Sequence, residues 1–419
     1  MTETDGGLVV ETPGTKAHAL AERMRGIAKA QLEFWFERGP DREQGGFHGQ
    51  LDRRGQPMGT GEKGLIQHSR HLWTFSTWYE RREQSPRIAT VAHGLYEFIL
   101  ARFADPAGAG FYRKVDRCGN VIEAVHQVYP EAFAVYALST YGRVFGVEPA
   151  IARAIACFEE FDRRAHEPRF GGYDVTGDPP WQTPGANKET NTQIHVMEAL
   201  TALGEVSRGP LVHERLREFT ELTITKLRQP ANYAHLEFLM DYTPLGQPLV
   251  SYGHDLETSW LVADALRVLH ARGIAAPLPE SIKDLALAMG KASAIGGFDA
   301  EQGGYFNTGV PAGSVLDHEK IWWVQFEALP ALVQLHLTGV LPDALHRLER
   351  TLDWLENGQI DKEFGGVYWG VLPDSSLGPY GDIKGDPWKA SYHDLRAMMF
   401  AADWLEATVP EAPKPVAVR

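Results

Sequence analysis

The chain has 419 residues, with 41 Lys+Arg against 55 Asp+Glu and a net charge of −14. That balance argues against nucleic acid and anionic membrane surfaces as partners. No apolar run is long enough to span a bilayer, and MTETDGGLVVETPGTK at the N-terminus has neither the basic nor the apolar region of a secretory signal. Cys118 and Cys157 are the only cysteines. They make no disulfide framework and no CxxC metal motif, so a cytoplasmic location is expected.

Residues 1–15 are expected to be a flexible N-terminus, and 16–38, rich in Ala, Leu and Glu, to form the first helix. A short signature follows: an acidic residue, two small residues of which the second is glycine, then an aromatic or apolar pair. It stands as Asp41…Gly45-Gly46-Phe47-His48, Asp105…Ala109-Gly110-Phe111-Tyr112 and Glu167…Gly171-Gly172-Tyr173-Asp174. It returns as Asp299…Gly303-Gly304-Tyr305-Phe306 and Asp361…Gly365-Gly366-Val367-Tyr368. The second glycines are spaced 64, 62, 132 and 62 residues apart. The doubled step predicts a degenerate copy near Phe238–Asp241, and hence six units of roughly 63 residues. Each signature reads as a tight turn into a hairpin, with Leu51–Gly55 and Val115–Gly119 as hairpin ends.

Between signatures the apolar spacing becomes helical, over 63–84, 86–104, 129–147, 149–166, 190–206, 209–229, 254–272, 279–292, 318–338, 341–357 and 389–408. With 16–38 these make twelve helices: five hairpins, plus a first and a last helix left to pair and close a ring. An all-α (α/α)6 barrel over 16–408 is therefore expected, with short β-hairpins in the long loops, ahead of a Pro-rich tail at 409–419. An open helical solenoid is the alternative. Long loops in a compact fold tend to carry function, and here all would emerge at one end of the ring.

The unusual polar residues sit just after those loops. They are Arg70, Tyr129, Asn191, His195, His254 and Glu257, then Trp322, Trp323, Gln325 and Glu327, and finally Trp388, Lys389, His393 and Arg396. Taken singly, each has a structural reading: a helix-start histidine as a cap, His195/Glu198 or His254/Glu257 as i,i+3 pairs, the Trp-Trp pair as core, Arg70 as a salt bridge. Their recurrence at one point of the repeat favours convergence on a single cavity. A metal site is disfavoured, because there is no HExxH and no second matching Glu-x-x-His. No GxGxxG follows a strand, so no redox cofactor is expected.

At Arg70-His71-Leu72-Trp73-Thr74-Phe75-Ser76, Asn191-Thr192-Gln193-Ile194-His195, Gly253-His254-Asp255-Leu256-Glu257, Trp322-Trp323-Val324-Gln325 and Trp388-Lys389-Ala390-Ser391-Tyr392-His393 the chain resembles the N-acylglucosamine 2-epimerase family. Within it the resemblance is closest to the cellobiose 2-epimerase branch. It runs from about Lys16 to Leu405 and implies an (α/α)6 barrel. It also implies that His254 and His393 form an acid/base pair, assisted by His195. Arg70, Tyr129, Asn191, Glu257 and the tryptophans would hold a sugar, with Gln325 and Glu327 as further binding candidates. Gln193, Pro130 and the segment 185–189 depart from the branch's pattern.

The expected reaction is inversion at C2 of a free reducing aldose such as mannose, glucose or cellobiose. Histidine suits the proton transfers, with an ordinary pKa near 6.5, and two of them can address both faces of an enediolate. Arg70 is the candidate for stabilising its charge. The alternatives are an aldose–ketose isomerase that returns the proton to C1, an inverting glycoside hydrolase using Glu257 and Glu327, and a non-catalytic sugar- or protein-binding module. The expected partner is a small sugar, and the expected state a monomer or homodimer.

Overall fold

A computed structural model describes residues 13–174, 188–274, 281–311 and 313–407. Among these residues twelve α-helices follow in order: α1 Pro13–Arg38, α2 Leu65–Arg81, α3 Pro86–Arg102, α4 Val128–Phe145, α5 Glu148–Ala165, α6 Thr190–Val206, α7 Pro210–Leu222, α8 Tyr252–Ala271, α9 Ser281–Gly296, α10 Trp322–Leu337, α11 Ala344–Trp354 and α12 His393–Glu406. One π-helical turn extends α7 and another extends α11. Residues 13–15 already belong to α1; the rest of the expected flexible N-terminus, the expected tail at 409–419 and positions 185–187 lie outside the described residues.

The even-numbered helices form the inner ring, each packed on the next, and α1 packs on α12. The fold is an (α/α)6 barrel, not an open solenoid. Burial explains the sorting. An inner helix faces both the outer ring and the axis, so α2 is buried continuously from Leu65 to Trp78. An outer helix such as α11 buries only a stripe, Ala344, Leu348, Thr351, Leu352 and Trp354. Between α12 and α2 the ring is joined by Ser391, whose carbonyl accepts from Thr74 Oγ1 at 2.9 Å and whose Oγ bonds His71 Nδ1 at 2.8 Å.

All the long loops emerge at the N-terminal end of the inner helices and interlock. Lys63–Gly64 pairs with Lys114–Val115, Lys188–Glu189 with Glu237–Phe238, Val250–Ser251 with Thr308–Gly309 and Lys320–Ile321 with Gly370–Val371. A Leu51–Gly385 bridge joins the last loop to the first. Each signature folds as expected, with the turn closed by bridges such as Pro40–Phe47 and Phe298–Tyr305. Gly303 and Gly304 have φ of 81° and 75°, and a Cβ on Gly303 would lie 2.3 Å from the Arg350 carbonyl, so only glycine fits there.

The degenerate fourth copy is not at Phe238–Asp241. It is the pair Arg228–Gln229 with Tyr233–Ala234, where His235 N–H donates to the Leu227 carbonyl as His48 N–H donates to Gly39. Asn232, at φ 58°, takes the left-handed position that glycine holds elsewhere.

Two helices start four residues later than expected. Residues 318–321 precede α10 because Lys320–Ile321 is held in a strand. The last helix begins at His393 rather than 389. The Asp386 carboxylate accepts the Trp388 and Lys389 N–H groups at 2.7 Å each, and Lys389 Nζ reaches the Val367 and Ile383 carbonyls, so this stretch forms a turn.

Candidate active site

The first turns of the inner helices ring one cavity of about 230 Å³, lined by Arg70, Tyr129, Asn191, His195, His254, Glu257, Trp322, Trp323, Trp369, Trp388 and His393. All but two of these side chains come from the first two turns of α2, α4, α6, α8, α10 and α12. Six positive helix ends therefore point toward the same space, an arrangement suited to an anionic intermediate.

The position that fixes each loop to its helix is structural. The backbone N–H groups of Phe47, Phe111, Tyr173, Ala234 and Tyr305 donate to His68 Nε2, Glu131, Gln193, Asp255 and Gln325, at 2.7–3.0 Å. Gln325 is one of these clasps. It is fully buried, its amide also donates to the Tyr305 carbonyl at 2.7 Å, and it does not line the cavity. Gln193, where the sequence departs from the branch, plays the same part.

Three histidines face the cavity with one nitrogen anchored behind them. His254 Nδ1 bonds Ser251 Oγ at 2.8 Å, His393 Nδ1 bonds Glu327 Oε1 at 2.7 Å, and His195 Nδ1 bonds Glu198 Oε2 at 2.9 Å. In each case Nε2 is left for the cavity side. The Trp323 ring packs near both His254 and His393, its centre 4.8 Å from one ring and 5.7 Å from the other. Burial pushes His254 down to about 4. Burial also lowers His393, with the Arg70 and Arg396 charges acting in the same direction.

Beneath the cavity, Arg396 ties three buried carboxylates together. Its Nη1 donates to Glu198, and its Nη2 donates to Glu257 and, at 2.7 Å, to Glu327. Trp260 Nε1 donates to the other Glu327 oxygen at 3.1 Å. Burial raises Glu327, aided by Glu257 and opposed by Arg396, while Arg396 and His195 overcome burial to hold Glu198 at about 2. Glu327 is thus under the cavity and supports His393 without lining it.

Candidate ligand atoms of Glu257, Glu327 and His393 lie within 4.8 Å of one another. However, Arg396 Nη2 already bonds both carboxylates. A guanidinium fills the place a cation would need, so this donor set does not fit a metal. Nor does it fit the pair of an inverting hydrolase, whose carboxyls stand about 6.5–9.5 Å apart around a water.

Arg70 donates to the Trp388 carbonyl and, at 3.1 Å, to the Tyr129 hydroxyl. Its guanidinium lies 4.4 Å from the Phe133 ring centre and 5.1 Å from that of Tyr392. No carboxylate among the described residues makes an ion pair with it, so Arg70 is not part of a structural salt bridge. Burial pushes Tyr129 up to about 12, so it stays a neutral hydrogen-bonding group. One Glu257 oxygen, Oε2, is buried without a hydrogen bond and lies 4.0 Å from His195 Nε2. Trp388 is 47% exposed at the mouth.

Sequence reasoning missed Trp369 and Ser251. Trp369 was within reach, since it follows the sixth signature directly. It also overlooked the lysines Lys63, Lys188, Lys320 and Lys384, all fully or almost fully buried. Each reaches a glycine carbonyl of the signature, as Lys320 reaches Gly303 at 2.7 Å, and pins the loops that shape the mouth.

Comparison with known proteins agrees with this geometry. The family model for N-acylglucosamine 2-epimerase (GlcNAc 2-epimerase) matches residues 45–397. The chain belongs to this family. A cellobiose 2-epimerase of Bacteroides fragilis is 27% identical over 90% of this chain and 96% of its own length. A solved cellobiose 2-epimerase from Spirochaeta thermophila DSM 6192 superposes with a TM-score of 0.85 at 29% identity, covering 96% of this chain and all of that one. A D-mannose isomerase of Marinomonas mediterranea is 24% identical over 87% of this chain and 93% of its own. The family members matched are sugar isomerases, and no helix among the described residues is long and apolar enough to cross a membrane.

Proposed function

We propose that this chain is a sugar 2-epimerase that inverts C2 of a free reducing aldose through an enediolate. The observation that carries the reading is the pair His254 and His393, from different inner helices and both beside Trp323, each anchored at Nδ1 and offering Nε2 to one cavity.

The two histidines differ in what stands behind them. His254 leans on a serine hydroxyl and is neutral at neutral pH, which suits a base. His393 leans on Glu327, a carboxyl raised by burial, and the two hold one proton between them. His393 can therefore deliver a proton from Nε2 while Glu327 resupplies Nδ1. Once His254 has taken a C2 proton and His393 has given one, the pair is set for the opposite epimer. Arg70 faces the enediolate oxygens without a competing carboxylate, the free Glu257 oxygen accepts a sugar hydroxyl, and His195, Tyr129 and Asn191 bind the remaining oxygens. Trp388, Trp322 and Trp323 supply stacking surfaces.

An adjoining cleft of about 510 Å³ shares Tyr129, Asn191 and Trp388 with the cavity and contains Pro130, which leaves room for a second sugar ring. Gln193 is a loop clasp and does not bear on that choice. No metal or redox cofactor is needed for this route. A cytoplasmic enzyme is the reading that Cys118 and Cys157 support, both being free thiols.

The second reading, an aldose–ketose isomerase, is favoured by the similarity to a D-mannose isomerase and differs only in where the proton lands. Incubation with mannose separates the two. Glucose is expected as the product, whereas fructose alone would establish the isomerase. The proton arithmetic also predicts the pH profile. Because His254 is lowered to about 4, activity should persist as pH falls through 6.5, provided circular dichroism shows an intact fold. On the alkaline side it should decline as the His393–Glu327 pair loses its proton, and Glu327→Gln should move that limb. An unchanged alkaline limb in the variant would remove Glu327 from this role.

A further inference from the structure

A second cavity, about 470 Å³, opens at the opposite end of the barrel, among the C-terminal turns of α2, α4, α6, α8 and α12. It falls in the size range of small-molecule sites, about 300–1,000 Å³, and the proposed epimerase chemistry makes no use of it. Its wall is built in layers at the repeat spacing. Outermost, Glu80, Arg143, Glu205 and Arg267 alternate in charge on successive inner helices. They neutralise one another: Arg143 bonds Glu80 and approaches Glu205 at 3.4 Å, and Arg267 bonds Glu205 and Asp264 at 2.7 Å each. Next come Thr77, Thr140, Thr201 and Asp264, and then the aromatic level of Trp73, Tyr136, Trp260 and Phe400. Glu198 reaches this space from the base of the catalytic cavity.

We propose that this well is a second binding site, for a neutral polyhydroxylated molecule of about hexose size. The paired rim leaves no net charge to select an anion or a cation. The threonine level argues against a purely apolar ligand: Thr77 lines the well, and its Oγ1 is buried without a hydrogen-bond partner, a group that costs stability until it is satisfied. Aromatic edges next to hydroxyls suit a polyol, which has C–H faces and O–H groups together.

The test is binding of D-sorbitol, which has no carbonyl and cannot be turned over, followed by NMR of threonine-methyl-labelled full-length protein. The Thr77, Thr140 and Thr201 methyl signals should shift and saturate with sorbitol. Ala202→Trp, which fills the well, should weaken this response tenfold or more while leaving turnover of the reducing sugar within about twofold. Thr77→Val should weaken it roughly three- to tenfold and serves alone if the tryptophan variant does not fold. Signals that do not saturate, that respond to sulfate or ammonium instead, or that are unaffected by the folded variants would overturn the proposal. These outcomes do not depend on turnover, so failure of the epimerase reading would be seen separately, in the product assay.

Discussion

Replacing His254 or His393 with alanine is expected to lower turnover by at least 10²- to 10⁴-fold, the usual contribution of a positioned acid or base, while a reducing sugar still binds. The two losses should be similar in size, since inversion needs one proton transfer on each face and neither histidine can reach both. Binding should survive because Arg70 and Glu257 do not depend on either imidazole for their positions. Arg70 is held by Tyr129 and the Trp388 carbonyl, and Glu257 by Arg396. The check is steady-state kinetics alongside calorimetric titration of the sugar. Near-normal activity in either variant would remove that histidine from the chemistry.

The second large effect is on stability. Arg396→Met should destabilise the fold by about 3–5 kcal/mol, the cost of stranding buried charge partners, since it leaves Glu198, Glu257 and Glu327 together with no cation among them. The pH dependence identifies the cause. In the parent protein Glu198 is held at about 2, below its unfolded value, so its contribution is present above the unfolded pKa and lost as pH falls toward 2. In the variant, the same carboxylates gain protons more readily folded than unfolded, so stability should rise as pH drops from neutrality into the weakly acidic range. Denaturant melts at a series of pH values measure this. By contrast Arg81→Met, which breaks an exposed pair with Asp403, should cost little.

Much of the fold was legible in the residues, for a physical reason. Four of the five signature turns hold both glycines at positive φ, so those glycines mark the repeat even where the helices between them have diverged. The fourth copy escaped because Asn232 replaces glycine there and Arg228-Gln229 stands where the other turns open on an acidic residue; its clasp, Asp255, lies on the following helix as in the other copies. The start of α12 was misplaced because Trp388-Lys389-Ala390 carries helical spacing, yet Asp386 and the buried Lys389 amine hold it as a turn. That turn is what brings the Trp388 carbonyl to Arg70.

At the site, first-turn positions identified the cavity wall but not the function of each side chain. Gln325 and His195 stand on different helices with the same kind of spacing. Only the structure separates a clasp to Tyr305 from a ring facing the cavity. The buried lysines and Arg396 were harder still to read, because a charged residue signals solvent until its partners, tens or hundreds of residues away in sequence, are brought to it.

The central claim is that a proton leaves C2 and another returns to C2 from the opposite face. NMR of the products formed from glucose or cellobiose in deuterated water tests it directly. The account predicts an epimeric product carrying deuterium at C2, with that label absent when His254 or His393 is replaced. Product that retains protium at C2, or a ketose labelled at C1 as the sole product, would contradict it.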